Sequence, residues 1–69
     1  MRPADLMRRL RRLATQRRWK LIVVEGSRHT KVTLNGKQTV VPRHAADLPP
    51  GTLHAIMRQL AIGRPDLEN

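Results

Sequence analysis

The side chains able to move protons near neutral pH are three histidines, His29, His44 and His54. Imidazole is the one unperturbed side chain that titrates across roughly pH 5–8. Cysteine is absent, which removes thiol nucleophiles, Cys-ligated zinc and disulfides together. The carboxylates fall at positions 5, 25, 47, 66 and 68, too scattered for a paired-metal nuclease site. The histidines lack zinc spacing and no fourth ligand is evident, so no metal or other cofactor is expected. Ser27 stands two residues before His29, but a serine triad needs a separately placed acid and an oxyanion hole, and the sequence offers neither. Gly26-Ser27 lacks the Lys-Ser/Thr ending of a phosphate loop. What remains is metal-free acid–base chemistry. RNA is a substrate for which that suffices, because its 2′-hydroxyl is an internal nucleophile beside the scissile phosphate. In that chemistry a histidine can serve as acid or base, and Lys20, Arg28 and Lys31 supply charge for the phosphate. By residue type alone, the plainer reading of His29 is an ordinary exposed strand histidine.

The composition agrees with a polyanionic partner. Fourteen Lys and Arg against five Asp and Glu give a net charge of +9 over 69 residues, which favours nucleic acid or an anionic surface. One Trp with no Phe or Tyr excludes modules that stack single-stranded bases on aromatic platforms. The longest apolar run, Leu21 to Val24, is too short to cross a bilayer. The first eighteen residues, MRPADLMRRLRRLATQRR, have the basic amphipathic character of a mitochondrial targeting helix. They contain no serine, and their removal would leave about 50 residues, too few to fold alone. A single cytoplasmic domain over residues 1–69 is therefore expected.

The elements that must carry these side chains are legible in turn. Pro3 suits a first helical turn, and Leu6, Met7, Leu10 and Leu13 form one stripe, which predicts a helix over 3–15. Arg8, Arg9, Arg11 and Arg12 take the opposite side, as a solvated face or as a rail for phosphates. Aliphatic and alternating segments predict strands over 19–25, 28–34 and 37–41. Asn35-Gly36 between the last two is a strong type I′ hairpin signal. Leu53, Ile56, Met57 and Leu60 predict a second helix over 50–61, ended by Gly63 and Pro65. The tail, 63–69, is polar and reads as frayed. The expected architecture is α+β, in the order α-β-β-β-α, with both helices on one face of a three-stranded antiparallel sheet.

Two-residue turns would set Leu34 opposite Lys37, Val32 opposite Thr39, Val24 opposite His29 and Ile22 opposite Lys31. One face then holds Trp19, Leu21, Val23, Val32 and Leu34 for the helices. The other holds Lys20, Ile22, Val24, His29, Lys31 and Val40 with no cover. Exposed aliphatics beside a histidine and two lysines point to a protein partner on that face.

Several short motifs recur in a fixed order: Gly-Ser-x-His opening the second strand, a short hairpin, Val-Pro-x-His ending the third, and Leu-Pro-x-Gly-Thr-Leu before the last helix. With the N-terminal amphipathic helix and the Trp19 strand, the chain resembles the HicA family of toxins, small mRNA interferases of bacterial toxin–antitoxin pairs. The resemblance implies a double-stranded-RNA-binding-domain-like fold and ribonuclease activity that depends on His29. Many members carry two adjacent histidines in this motif, where this chain has Arg28 then His29. The glycine usual before the Trp is replaced by Arg18. His44 matches the Val-Pro-x-His motif, either touching RNA or fixing its loop, and His54 matches nothing. The residues expected to meet RNA are Lys20, Gly26, Ser27, Arg28, Lys31, Arg43 and His44. The partner implied is a HicB-like antitoxin that covers Ile22, Val24 and Val40 and occludes His29. A non-catalytic double-stranded-RNA-binding module fits the same composition. A basic DNA-binding repressor is the third reading, though no helix-turn-helix pair stands out.

Overall fold

The computed structural model describes residues 1–68. The elements run α1 (Pro3–Arg17), β1 (Leu21–Glu25), β2 (His29–Leu34), β3 (Lys37–Pro42), α2 (Pro50–Gln59) and α3 (Arg64–Glu68). The strands form one antiparallel sheet in the order β1-β2-β3. Leu6, Leu10 and Leu13 of α1 and Leu53, Ile56 and Met57 of α2 pack with Val32, Leu34 and Val41 in one core. The helices thus cover one sheet face, and the fold is α+β of the double-stranded-RNA-binding-domain type. Among the described residues, no helix is long and apolar enough to cross a membrane.

The first helix runs two residues past its expected end, and Arg18 explains why. Its backbone turns left-handed (φ 57°), and the Arg18 and Trp19 N–H groups return to the Thr15 and Ala14 carbonyls, the hydrogen-bond pattern of a Schellman ending. Glycine enters that conformation at least cost, and a side chain there costs about 1 kcal/mol. Trp19 and Lys20 therefore belong to the turn, and β1 starts at Leu21 rather than at residue 19. Trp19 packs on the core edge with the Arg17 guanidinium 5.3 Å from its ring centre.

The β2–β3 hairpin has the expected register, Leu34 opposite Lys37 and Val32 opposite Thr39. Asn35 and Gly36 both take positive φ, 51° and 81°, as a type I′ turn requires. The β1–β2 register differs from expectation. Val24 faces Lys31 rather than His29, and Ile22 faces Thr33 rather than Lys31. The last pair is Glu25 with Thr30, so the connection is Gly26-Ser27-Arg28-His29, four residues and not two. A slip of two leaves every side chain on its expected face, since strand side chains repeat with period two.

The C-terminal segment departs further from the sequence reading. α2 ends at Gln59, because Ala61 turns left-handed (φ 55°) and the Ala61 and Ile62 N–H groups cap the Arg58 and Met57 carbonyls. Gly63, expected to end α2, instead starts α3, its N–H donating to Asp66 Oδ2 at 2.7 Å as in half of a capping box. Residues 64–68 are helical rather than a frayed polar tail. Leu67 is 2% exposed, and its carbonyl accepts from Arg9 Nη1 (3.0 Å) and Arg12 Nη2 (3.3 Å) of α1. Arg17 Nη2 reaches Asp66 Oδ1 at 2.7 Å. Three arginines of α1 therefore hold α3, a use neither a solvated face nor a phosphate rail anticipates. Leu67→Ala is expected to destabilise the protein by about 2–3 kcal/mol, seen as a lower urea midpoint with unchanged slope. A frayed tail would leave the midpoint where it was.

At the other end of the molecule, the Leu48 N–H donates to the Met1 carbonyl at 2.8 Å. The Met1 ammonium lies 2.6 Å from Asp47 and holds that carboxyl below its usual range.

Candidate active site

The uncovered sheet face is a small lattice that the register defines. Moving along β2, His29 stands beside Pro42, Lys31 lies between Val24 and Val40, and Thr33 lies between Ile22 and Gln38. Side chains opposite one another are about 5 Å apart at Cβ, and His29 and Lys31 are about 7 Å apart along the strand. Ile22, Val24 and Val40 are 43%, 57% and 48% exposed. No strand position on this face carries a carboxylate; Glu25, the nearest in sequence, shares the parity of Leu21 and Val23. The His29 ring is exposed and makes no side-chain hydrogen bond among the described residues. It lines none of the grooves between the helices, where Pro50, Leu53, His54 and Arg58 lie. Such an open surface suits a polymer better than an enclosed small molecule.

His29 is delivered by the four-residue loop. The Gly26 N–H donates to the His29 carbonyl at 2.8 Å. A Cβ on residue 26 would sit 3.0 Å from that same oxygen, so glycine here serves close approach. On the other side of the loop lies the segment after β3. The Arg43 N–H donates to the Arg28 carbonyl at 3.0 Å, and the Arg43 guanidinium donates to the Gly26 carbonyl. His44 Nε2 lies 2.9 Å from the Ser27 carbonyl. A carbonyl only accepts, so Nε2 carries the proton. The Ser27 and Arg28 N–H groups have no backbone partner among the described residues.

The structure thus brings Gly26, Ser27, Arg28, His29, Lys31, Arg43 and His44 to one end of the sheet. Lys20 is not among them. Its carbonyl accepts from Asn35 N–H at 3.0 Å, which places it six strand residues from His29, or about 20 Å. A phosphate at His29 is out of its reach. His54 is exposed on α2, on the helical side. Among the described residues, no three His, Asp or Glu side chains come together as metal ligands. The loop-fixing alternative read for His44 agrees with this geometry, while the sequence does not name the three carbonyls that residues 43 and 44 hold. The Val-Pro-x-His motif marks the place, but its partner is a backbone oxygen with no residue signature.

Searches of curated proteins and of solved structures give no match. The family model described as the HicA toxin of bacterial toxin–antitoxin systems matches residues 7–62. That span contains the α1 stripe from Met7 onward, the whole sheet with its bare face, the His29 loop, the segment that holds it, and α2. The architecture expected from the motifs and the family matched by the chain agree, and the chain belongs to the HicA toxin family of bacterial toxin–antitoxin systems.

Proposed function

We propose that the protein is the toxin of a type II toxin–antitoxin pair, an endoribonuclease that cleaves mRNA in the cytoplasm without a metal. The observation that supports this most is the His29 ring, exposed and without a side-chain hydrogen bond among the described residues, between Arg28 and Lys31 on a sheet face whose strand positions carry no carboxylate. In the reaction the RNA 2′-hydroxyl oxygen bonds to phosphorus and the bond to the 5′-oxygen breaks. A 2′,3′-cyclic phosphate and a 5′-hydroxyl result. One proton leaves the 2′-hydroxyl and one joins the departing oxygen. His29 is the imidazole within reach of such a phosphate and serves at one or both of these points. Arg28, Lys31 and the free N–H groups of Ser27 and Arg28 stabilise the phosphate's developing charge. Arg43 retains further guanidinium donors for RNA.

The same face accounts for silencing. A HicB-like antitoxin covers Ile22, Val24 and Val40, and in doing so buries His29 and Lys31. Three half-exposed aliphatics on so small a domain are the apolar centre that such an interface needs.

The test is cleavage of RNA by the purified protein in EDTA. The expected products carry 2′,3′-cyclic phosphate and 5′-hydroxyl ends, and a single 2′-deoxy substitution at the cleaved position blocks the cut. Cleavage of that deoxy substrate would contradict the mechanism. RNA that is bound but left intact would favour the non-catalytic duplex-RNA module.

A further inference from the structure

We infer that Arg43 and His44 are positioning residues: they clamp the loop that presents His29, and His44 acts through its Nε2–H on the Ser27 carbonyl and not on RNA. The inference rests on the endoribonuclease reading for its effect on rate, while the clamp itself stands on geometry. Three successive carbonyls, of Gly26, Ser27 and Arg28, are each held by a donor from a two-residue segment. The loop is exposed throughout and packs no side chain into the core, so these bonds and the Gly26 N–H to His29 carbonyl bond are what fix it. A four-residue exposed loop without such ties opens readily.

The direction of the clamp matters as much as its strength. Peptide units are trans among the described residues, so each N–H points away from the carbonyl of its own peptide group. Turning the Gly26 and Ser27 carbonyls toward residues 43 and 44 therefore turns the Ser27 and Arg28 N–H groups the opposite way. The negative ends of these dipoles are thus taken up by residues 43 and 44, and the positive ends are left facing away from them, open to an anion. His44 supplies the middle tie, and the spacing of its donor is chemically specific. A glutamine places an amide N–H where Nε2 lies; an asparagine falls short.

The test compares His44→Ala, His44→Gln and His44→Asn with the wild type by amide hydrogen exchange and by steady-state cleavage. Exchange at the Gly26 and Arg43 amides is expected to speed by at least about tenfold in His44→Ala and His44→Asn. His44→Gln should stay close to wild type, and the Val32 amide in the core should not move in any of them. Cleavage should lose about ten- to a hundredfold in kcat with KM little changed, and His44→Gln should recover it. Should the alanine variant unfold, the asparagine and glutamine pair carries the comparison alone. A raised KM with unchanged kcat and unchanged loop exchange would make His44 an RNA contact and overturn the inference. So would loss of activity in His44→Gln with its loop exchange intact. A wild-type protein that cuts no RNA refutes the endoribonuclease reading instead, and the exchange rates still decide the clamp.

Discussion

His29→Ala is expected to lower RNA cleavage by about a hundred- to ten-thousandfold, the usual contribution of a placed general acid or base. The fold should not suffer. The ring is exposed and makes no side-chain hydrogen bond among the described residues, and surface substitutions of that kind shift stability by about 0.5 kcal/mol or less. Circular dichroism and the unfolding midpoint should therefore match wild type. RNA affinity should fall little, because Arg28, Lys31 and the loop N–H groups remain. The loss belongs in kcat, as expected when an interaction is made only in the transition state. A variant that retains a tenth of wild-type cleavage would move the chemistry to some other residue. His44 would be the first to re-examine, since it stands in the same corner of the sheet.

Ile22→Asp is expected to weaken antitoxin binding by at least about a hundredfold while leaving cleavage intact. A carboxylate buried at an interface without a partner costs about 3 kcal/mol or more, and that is close to two powers of ten in affinity. Position 22 is better suited than 24 or 40 for this purpose. Val24 and Val40 both face Lys31, which would neutralise a new carboxylate, whereas Ile22 faces Thr33. Thr33 lies four residues from His29, or about 14 Å along the strand. That exceeds the screening length of about 8 Å at physiological salt, so RNA at His29 barely senses the added charge. Titration with a purified HicB-like antitoxin gives the affinity, and growth on co-expression gives the consequence. Full protection of cells by the antitoxin against Ile22→Asp would place its footprint elsewhere.

What could be read from the sequence divides by the kind of interaction involved. Side-chain periodicity carries the α1 stripe, the sorting of strand residues onto two faces, and the bare patch of Ile22, Val24 and Val40. The Asn35-Gly36 turn carries the β2–β3 register, because its chemistry allows few geometries. The β1–β2 register slipped by two since Gly26-Ser27 carries no equally restrictive signal, yet the faces survived because the error was even. α3 went unseen because one leucine in five residues makes no periodicity. Its stability comes from tertiary contacts: Leu67 in the core and the guanidiniums of Arg9, Arg12 and Arg17. A loop-fixing role for His44 could be read from its motif, but the partners it and Arg43 hold could not, for a related reason. Those acceptors are backbone carbonyls, which every residue possesses, so no pattern of residue types announces them. The long separation of Lys20 from His29 likewise needed the true register.

The pairing of residue 67 with residues 9 and 12 joins the first helix to the last. Leu60, Ile62 and Leu67 all belong to the core, so the interior draws on the described chain from Leu6 to Leu67. A truncation before residue 64 would remove Leu67 from the core and leave Arg9, Arg12 and Arg17 without their partners on α3. The bare patch of Ile22, Val24 and Val40 is built by the sheet alone, so such a truncation would loosen the interior while leaving the outer face in place.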